Sequence, residues 1–264
     1  MSARLDSIAE KLDDAAMGQR AIAQLSIDTP LSIADAYRVQ NLLVERRLAR
    51  GERRVGVKLG FTSRAKMIQM GVDDLIWGQL TDAMLVGDGS HLALAEFIHP
   101  RAEPEIAFLI GERLSGEVNE EQALAAVRSV APALEIIDSR YSDFKFNLAD
   151  VIADNCSSAA LVVGAWRPLP GNIGNLDVRL EIDGQPAQAG STAAILGHPA
   201  RALVAAARLV AQAGLALEPG WVVMAGAATA AETLRPGMRV RVTVDGIGGA
   251  AFSCDEVPRE KQGR

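Results

Sequence analysis

The hydrophobic period of this chain changes at Arg53, and that change constrains its fold more than any other feature. Before it, apolar residues recur at helical spacing: Leu5, Ile8, Ala9, Leu12, Ala15 and Ala16 form one stripe and predict an amphipathic helix within the first 25 residues. Thr29-Pro30 interrupts it, and Ser32-Ile-Ala-Asp35 reads as a capping box opening a second helix. Its stripe is Ala36, Val39 and Leu43, with Gly51 as a stop. After Arg53 the period is two. Val55, Val57, Leu59 and Phe61 alternate with Gly56, Lys58 and Gly60, the pattern of a strand. Further strands are predicted at 83–86, 105–110, 133–137, 159–163, 178–182, 221–225 and 240–244, with Asp183-Gly184 and Asp245-Gly246 as turns. Two helices are predicted among them, near 120–130 and over 199–213. There is no regular βαβ alternation and no internal repeat, so the class is α+β with a sandwich or roll, not a doubly wound sheet or a barrel. The expected organisation is an N-terminal helical segment over 1–52 packed on a β-roll domain over 53–257, then a polar tail over 258–264.

Composition narrows the functions. The 264 residues are 49% apolar and 23% charged, an ordinary globular balance. The net charge of −6 argues against a nucleic-acid partner but leaves anionic small substrates open, because a metal and a lysine can make a site locally positive. The two cysteines, Cys156 and Cys254, have neither zinc-ligand nor disulfide spacing and read as small buried apolar residues. The opening residues are too charged for a secretory signal, and no apolar run approaches a membrane span. Cytoplasmic residence is the expectation. There is no P-loop and no G-x-S-x-G, and Gly246-Ile-Gly-Gly249 lacks the strand–loop–helix setting of a dinucleotide site.

Three carboxylates and one lysine stand out. In Arg101-Ala-Glu-Pro-Glu-Ile-Ala-Phe-Leu-Ile110, residues two apart on a strand share a face, so Glu103 and Glu105 lie together with Ala107 and Leu109 beyond. Two such carboxylates need solvent, a cation or a metal. An exposed sheet edge would also accommodate them. Glu135 lies within the apolar run Ala131-Pro-Ala-Leu-Glu-Ile-Ile137, where an unpaired charge is costly. Convergence of the three would make a hard, oxygen-only site suited to Mg²⁺ or Mn²⁺. The histidines, His91, His99 and His198, are scattered and offer no zinc pattern. Lys58 sits on a strand face between Gly56 and Gly60, where glycine marks close approach of a ligand or of another backbone. A snorkelling surface lysine fits the same pattern. Asp154-Asn-Cys-Ser-Ser158 and Gly226-Ala-Ala-Thr229 are candidate pocket segments beside strands.

Several segments together resemble one family. They are Gly56-Val-Lys-Leu-Gly-Phe-Thr-Ser63, Gly71-Val-Asp-Asp-Leu-Ile-Trp-Gly78, Pro100-Arg-Ala-Glu-Pro-Glu-Ile-Ala-Phe108, Glu135-Ile-Ile-Asp-Ser-Arg-Tyr141 and Ala153-Asp-Asn-Cys-Ser-Ser158. The chain is similar, from about Ile33 to Phe252, to the hydratase/decarboxylase branch of the fumarylacetoacetate hydrolase superfamily. The resemblance implies a mixed β-sandwich roll with N-terminal and peripheral helices. It implies Mg²⁺ or Mn²⁺ on Glu103, Glu105 and Glu135 and an active-site Lys58. It also implies a homo-oligomer able to associate with a hydratase. Ser158 and Thr229, in the two candidate pocket segments, are the candidate substrate contacts. The expected reaction is decarboxylation of (3E)-2-oxohex-3-enedioate, with hydration of 2-hydroxypenta-2,4-dienoate as the alternative. A stabilising partner without catalysis and a 2-oxo-acid sensor are readings from other classes, and the retained glutamates and Lys58 argue against the first. One position separates the branches: the hydratases carry an acid that aligns with Ile76. Hydration needs a group to move protons, and isoleucine cannot. Asp73, Asp74 and Asp82 lie nearby.

Overall fold

The computed structural model describes residues 2–63, 67–68 and 74–255. Gly71 to Asp73 of the aligned segments, and the tail from 256 on, lie outside the described residues.

Helix α1 (Ser2–Met17) and α2 (Ile33–Ala49) pack on each other. Ser32 caps α2 by accepting the Asp35 N–H. The first helix ends at Met17, short of residue 25, because Gly18 follows and the chain turns into an extended run where Ile22 bridges Tyr141. Leu5, Ile8, Leu12, Ala36, Val39 and Leu43 bury one face of the pair against α4 (Leu148–Ala153) and Tyr141. The predicted stripes therefore fold inward onto the main domain.

The larger sheet has the order β2-β1-β10-β5-β6-β7-β3, with β11 added on β5. Its strands are β1 (Arg54–Gly60), β2 (Ile76–Thr81), β3 (Leu85–Val86), β5 (Arg101–Ile110), β6 (Val127–Ile137), β7 (Ser158–Val163), β10 (Val222–Met224) and β11 (Glu232–Thr233). The smaller sheet, β4-β13-β12-β8-β9, comprises β4 (His91–Leu92), β8 (Asp177–Ile182), β9 (Gln185–Ser191), β12 (Arg239–Val244) and β13 (Gly248–Cys254). Strand β1 pairs parallel with β10 and antiparallel with β2, so the sheet is mixed.

Alternation along β5 gives two interiors. Ile106, Phe108 and Ile110 meet Leu180, Val242 and Phe252 of the smaller sheet in the main core, which α5 (Ala200–Gln212) joins through Leu203, Ala206 and Val210. Ala107 faces the other way, into a second cluster with Leu80, Met84, Ala133, Leu161, Val222 and Met224. These come from β2 near one end of the sheet and β7 near the other, so the larger sheet curls until those strands touch. Asn155 closes the seam: its side-chain amide accepts the Gln79 N–H and donates to the Gln79 carbonyl, both at 2.8 Å, as a paired strand would.

The structure corrects two further sequence boundaries and adds strands that the sequence did not predict. Helix α3 spans only Glu120–Ala125, held by a reciprocal Asn119/Gln122 cap, because Val127 and Val130 are taken as partners by Ile110 and Phe108 of β5. Strand β5 begins at Arg101, not at residue 105, so both its glutamates lie well inside it. Strands β9 and β13 carry too many small and polar residues for apolar alternation to reveal them. Strand β2 is continuous over Ile76–Thr81, but Gly78 and Gln79 break its apolar pattern.

Candidate metal centre

The curled sheet turns one face inward. Lys58 of β1 pairs with Met224 of β10, Met224 with Ala107 of β5, and Glu103 of β5 with Glu135 of β6. Strand periodicity therefore puts Lys58, Glu103, Glu105 and Glu135 on the same inner wall. The apolar cluster around Met224 and Leu161 forms the floor below them. One carboxylate oxygen from each glutamate lies within 4.8 Å of the others. Glu105 and Glu135 are buried and Glu103 is half-buried, so the sheet-edge alternative does not hold.

Lys58 Nζ stands 3.1 Å from Glu135 Oε2, an ion-pair contact that lies off the line of a hydrogen bond. The lysine is buried, so it is not a snorkelling surface residue. Burial disfavours its charge, but Glu135 foremost, then Cys156, Glu103 and Glu105, outweigh that and raise its pKa, keeping it an ammonium. Glu105 Oε2 accepts the Gly226 N–H at 2.8 Å. Glu105 Oε1 and both Glu135 oxygens are buried without a hydrogen-bond donor. Burial, then the neighbouring charges of Glu135 and Glu103, push the Glu105 carboxyl well above the usual range, against the pull of Lys58 and Gly226. Three buried or half-buried carboxylates with one lysine leave excess negative charge and orphaned lone pairs, which a divalent cation with oxygen ligands would satisfy. The donor set fits Mg²⁺ or Mn²⁺.

The two glycines beside Lys58 do different jobs. A Cβ at Gly56 would lie 2.0 Å from the Val222 carbonyl oxygen, so that glycine is required by the close approach of β10. At Gly60 the nearest neighbour is the Ile76 side chain, 2.8 Å from the corresponding Cβ position. Gly60 pairs with Ile76 and Lys58 with Gly78, so Ile76 lies on the Lys58 face, one step toward the open end. The site wall above the lysine is thus apolar, as the alignment implied.

Three residues within the two candidate pocket segments shape the site in ways that the sequence did not specify. Gly226, at φ +106°, turns its N–H onto Glu105, and a Cβ there would meet Thr62 Oγ1 at 2.2 Å. Asn155 seals the seam. Cys156, at φ 54° between two other left-handed residues, donates its thiol to the Trp77 carbonyl at 3.1 Å. Burial pushes that thiol up to about 12, and Cys254 is buried as well, so both cysteines are inert fillers as expected. Only the tertiary close approach signals these roles, and a lone Gly or Asn in sequence carries no trace of it.

Ser158 lies opposite Ile137 at the head of β7, and its Oγ is buried without a partner. Thr229 is half-buried; its hydroxyl donates to the Ala230 carbonyl at 3.1 Å. Arg140 does not reach into the site. Its guanidinium is bound to Asp154 Oδ1 and to the Asp154 and Asp138 carbonyls. Lys145 is exposed and pairs with Asp143 at 3.4 Å.

An α+β roll whose curled sheet carries a carboxylate triad and a buried lysine defines the class. The sequence model for the fumarylacetoacetate (FAA) hydrolase C-terminal domain matches residues 55–253, and the chain belongs to that family. It is 54% identical over 250 residues to a 4-oxalocrotonate decarboxylase of a Pseudomonas species, covering 95% of this chain and 98% of that one. It is 33% identical over 258 residues to a 2-hydroxyhexa-2,4-dienoate hydratase of Comamonas testosteroni, covering 96% and 98%. A solved 4-oxalocrotonate decarboxylase from Pseudomonas putida G7, complexed with magnesium and adipate, superposes with a TM-score of 0.93 at 35% identity, covering 96% of this chain and 98% of that one. The expected roll architecture is thereby established.

Proposed function

We propose that this protein is a metal-dependent carboxy-lyase. It converts (3E)-2-oxohex-3-enedioate to 2-hydroxypenta-2,4-dienoate, or its 2-oxo tautomer, and CO₂. Such a step belongs to the degradation of aromatic rings opened by meta-cleavage. The observation that carries the proposal is the inner wall itself: three converging glutamates with orphaned oxygens, a buried ammonium beside them, and isoleucine above. The greater identity to a decarboxylase than to a hydratase supports the same choice.

The chemistry follows from the substrate. Its distal carboxylate is a vinylogous β-keto acid. As the C5–C6 bond breaks, its electron pair runs through the double bond to the C2 oxygen, CO₂ departs, and a dienolate remains. The barrier is the charge appearing on that oxygen. A divalent cation held by Glu103, Glu105 and Glu135 supplies Lewis-acid stabilisation worth several kcal/mol. Lys58 adds a fixed positive charge beside the same wall, binds the C1 carboxylate or the enolate oxygen, and returns a proton to the dienolate. Ser158 Oγ, buried and unpartnered, donates to the substrate, and Thr229 lines the loop behind Gly226. Ile76 places no acid or base near the chain's open end, so the reading has no group to activate water there.

The same reading takes in a homo-oligomer that associates with a hydratase in the cytoplasm; light scattering of the protein alone and with such a hydratase tests the assembly. The deciding experiment is chemical. The Mg²⁺-supplemented protein is given (3E)-2-oxohex-3-enedioate and, separately, 2-hydroxypenta-2,4-dienoate. Release of CO₂ from the first supports the proposal. Formation of 4-hydroxy-2-oxopentanoate from the second, without CO₂ from the first, overturns it.

A further inference from the structure

A dianionic substrate poses a charge problem at this wall. Among the described residues, three glutamates, a divalent cation and Lys58 sum to neutrality, so the two negative charges of the substrate call for further positive charge. Arg140 is tied to Asp154 and backbone carbonyls, Lys145 to Asp143, and Arg208 to both oxygens of Asp74 at 2.8 and 3.0 Å.

Arg101 is placed differently. On β5 the residues Ala107, Glu105, Glu103 and Arg101 succeed one another at every second position, so all four share the inner face. Ala107 belongs to the floor, the glutamates to the triad, and Arg101 comes next toward the open end. Its strand partner on β6 is Ile137, whose other partner is Ser158 on β7. Arg101 is half-buried, and its guanidinium carbon lies 3.9 Å from the centroid of the Phe144 ring. Phe144 is itself fixed: His99 stacks on it with centroids 4.6 Å apart, and Asp143 and Phe144 both adopt left-handed backbone, at φ 57° and 53°. Among the described residues no carboxylate lies within ion-pair distance of this guanidinium, although its backbone is clamped on both sides by Ile137 and Thr233. A cation stacked on an aromatic face keeps its in-plane N–H fork available for an oxyanion. Two strand residues span ~6.8 Å, comparable to the length of an extended six-carbon diacid whose 2-oxo end sits on the triad.

We infer that Arg101, presented by Phe144, is the residue that recognises the distal carboxylate and so selects 2-oxo dicarboxylic acids over 2-oxo monocarboxylic acids. The inference rests on the reading of the inner wall as a 2-oxo-acid site. A guanidinium also suits a leaving group that becomes neutral: it binds the carboxylate on entry and has little hold on CO₂.

The test uses binding, so that it stands apart from turnover. Mg²⁺-loaded protein is titrated by calorimetry with 2-oxohexanedioate and with 2-oxohexanoate, which differ only in the distal carboxylate. Wild type is expected to prefer the diacid. Arg101→Gln should weaken the diacid by ~10–100-fold, the range of a charge-assisted contact, and leave the monoacid unchanged. Arg101→Lys and Phe144→Leu, which keep the charge but lose the fork or its support, should each show a smaller loss of preference. A diacid preference that survives in Arg101→Gln, or equal weakening of both ligands, overturns the inference. Should Arg101→Gln not fold, an undiminished preference in both other variants overturns it. Absence of CO₂ release by wild type would remove the proposed reaction and leave this ligand comparison intact.

Discussion

Two buried clusters of charge lie close together in this fold, and they are built on opposite principles. Behind the site, Arg140 and Asp154 are saturated: the guanidinium is bonded to the carboxylate and to backbone carbonyls, and the carboxylate also accepts the Arg140 N–H. On the inner wall, Lys58 pairs with Glu135, and among the described residues Glu105 Oε1 and both Glu135 oxygens are buried with no hydrogen-bond donor. Both clusters are buried, so burial does not distinguish function from structure. Satisfaction does. A saturated pair has no valence left for a ligand, whereas an unsatisfied one is stable only when something else arrives. The saturated pair holds together the turn from Ser139 to Tyr141 and the entry to β7, and so fixes the rim on which Ser158 stands.

The comparison breaks first on the wall. Glu105→Gln keeps the size of the side chain and its contact with the Gly226 N–H but removes one charge from the triad. Turnover should fall by on the order of 10³-fold, the equivalent of losing several kcal/mol of Lewis-acid stabilisation. Metal-free protein should be no less stable, because a carboxyl opposed by burial and by two like charges has been neutralised. The shift in Tm that Mg²⁺ or Mn²⁺ produces in wild type, ~2.7 kcal/mol at a hundredfold excess over Kd, should vanish in the variant. Thermal unfolding with EDTA and with metal checks both halves. A variant that unfolds much earlier without metal, or keeps the metal-induced shift, would mean the wall is structural.

The saturated pair should answer in the opposite way. Arg140→Met leaves Asp154 buried and unpaired, and should cost ~3–5 kcal/mol at neutral pH, read by denaturant unfolding. Burial already pushes the Asp154 carboxyl up to about 6, against the attraction of Arg140. A carboxyl raised in the folded state contributes stability that is present below its ordinary value of 3.8 and lost as pH rises through the raised one. Removing Arg140 raises it further, so the deficit of the variant should shrink from pH 7 toward pH 5, a window set by that shift. A deficit independent of pH would remove Asp154 from the explanation.

Lys58→Ala sits between these cases. It removes the ammonium beside Glu135 without touching a metal ligand, and kcat/KM should fall by at least ~100-fold, as when an electrostatic stabiliser is lost. Metal binding should persist, since the glutamates become more electron-rich without their ammonium neighbour. Near-wild-type turnover would take the lysine out of the reaction. Loss of metal binding together with turnover would make it a scaffold for Glu135 instead.

How legible these clusters were depended on whether neighbours in sequence were also neighbours in space. Glu103 and Glu105 were readable as one face because a strand repeats every two residues, and Glu135 because it interrupted an apolar run. Their convergence was not readable, since it needs the register of β5 against β6, and the resemblance to a family supplied it. At Gly56 the sequence left two readings open, close approach of a ligand or of another backbone, and the structure selects the second: β10, which joins β1 from more than 160 residues away. Strand β13, Gly-Gly-Ala-Ala-Phe-Ser-Cys, escaped detection because its burial comes from pairing with β12, not from its own hydrophobicity. Consecutive left-handed residues at Asn155, Cys156 and Ser157 were invisible for a related reason. Local preference opposes that backbone at non-glycine residues, and only the seam with Gln79 and the bond from Cys156 to Trp77 stabilise it.

A third charge cluster, at the surface, marks the weak end of the scale. Asp13 of α1 accepts from Arg50 Nη1 at 2.6 Å, from Arg50 Nη2 at 2.8 Å and from Arg46 Nε at 3.1 Å, clamping α1 to the end of α2. It is saturated like Asp154, yet the Arg50 and Arg46 side chains are 37% and 39% exposed, so water screens the attraction. Burial acts to raise the Asp13 carboxyl, but Arg50 and then Arg46 hold it below its ordinary 3.8. A depressed carboxyl contributes stability that is present above its ordinary value and lost as pH falls through the lowered one. Asp13→Asn should therefore cost no more than ~1 kcal/mol at neutral pH, and the gap from wild type should close below pH 3.8. Both gaps close as pH falls, but in different windows: the Arg140→Met deficit between about pH 7 and 5, the Asp13→Asn gap only below 3.8. The two variants, unfolded side by side over the same acid range, would separate a pair stabilised by its partners from one strained by its burial. If the two gaps were equal in size at neutral pH and closed over the same pH window, exposure would not be what sets the worth of a saturated pair in this fold.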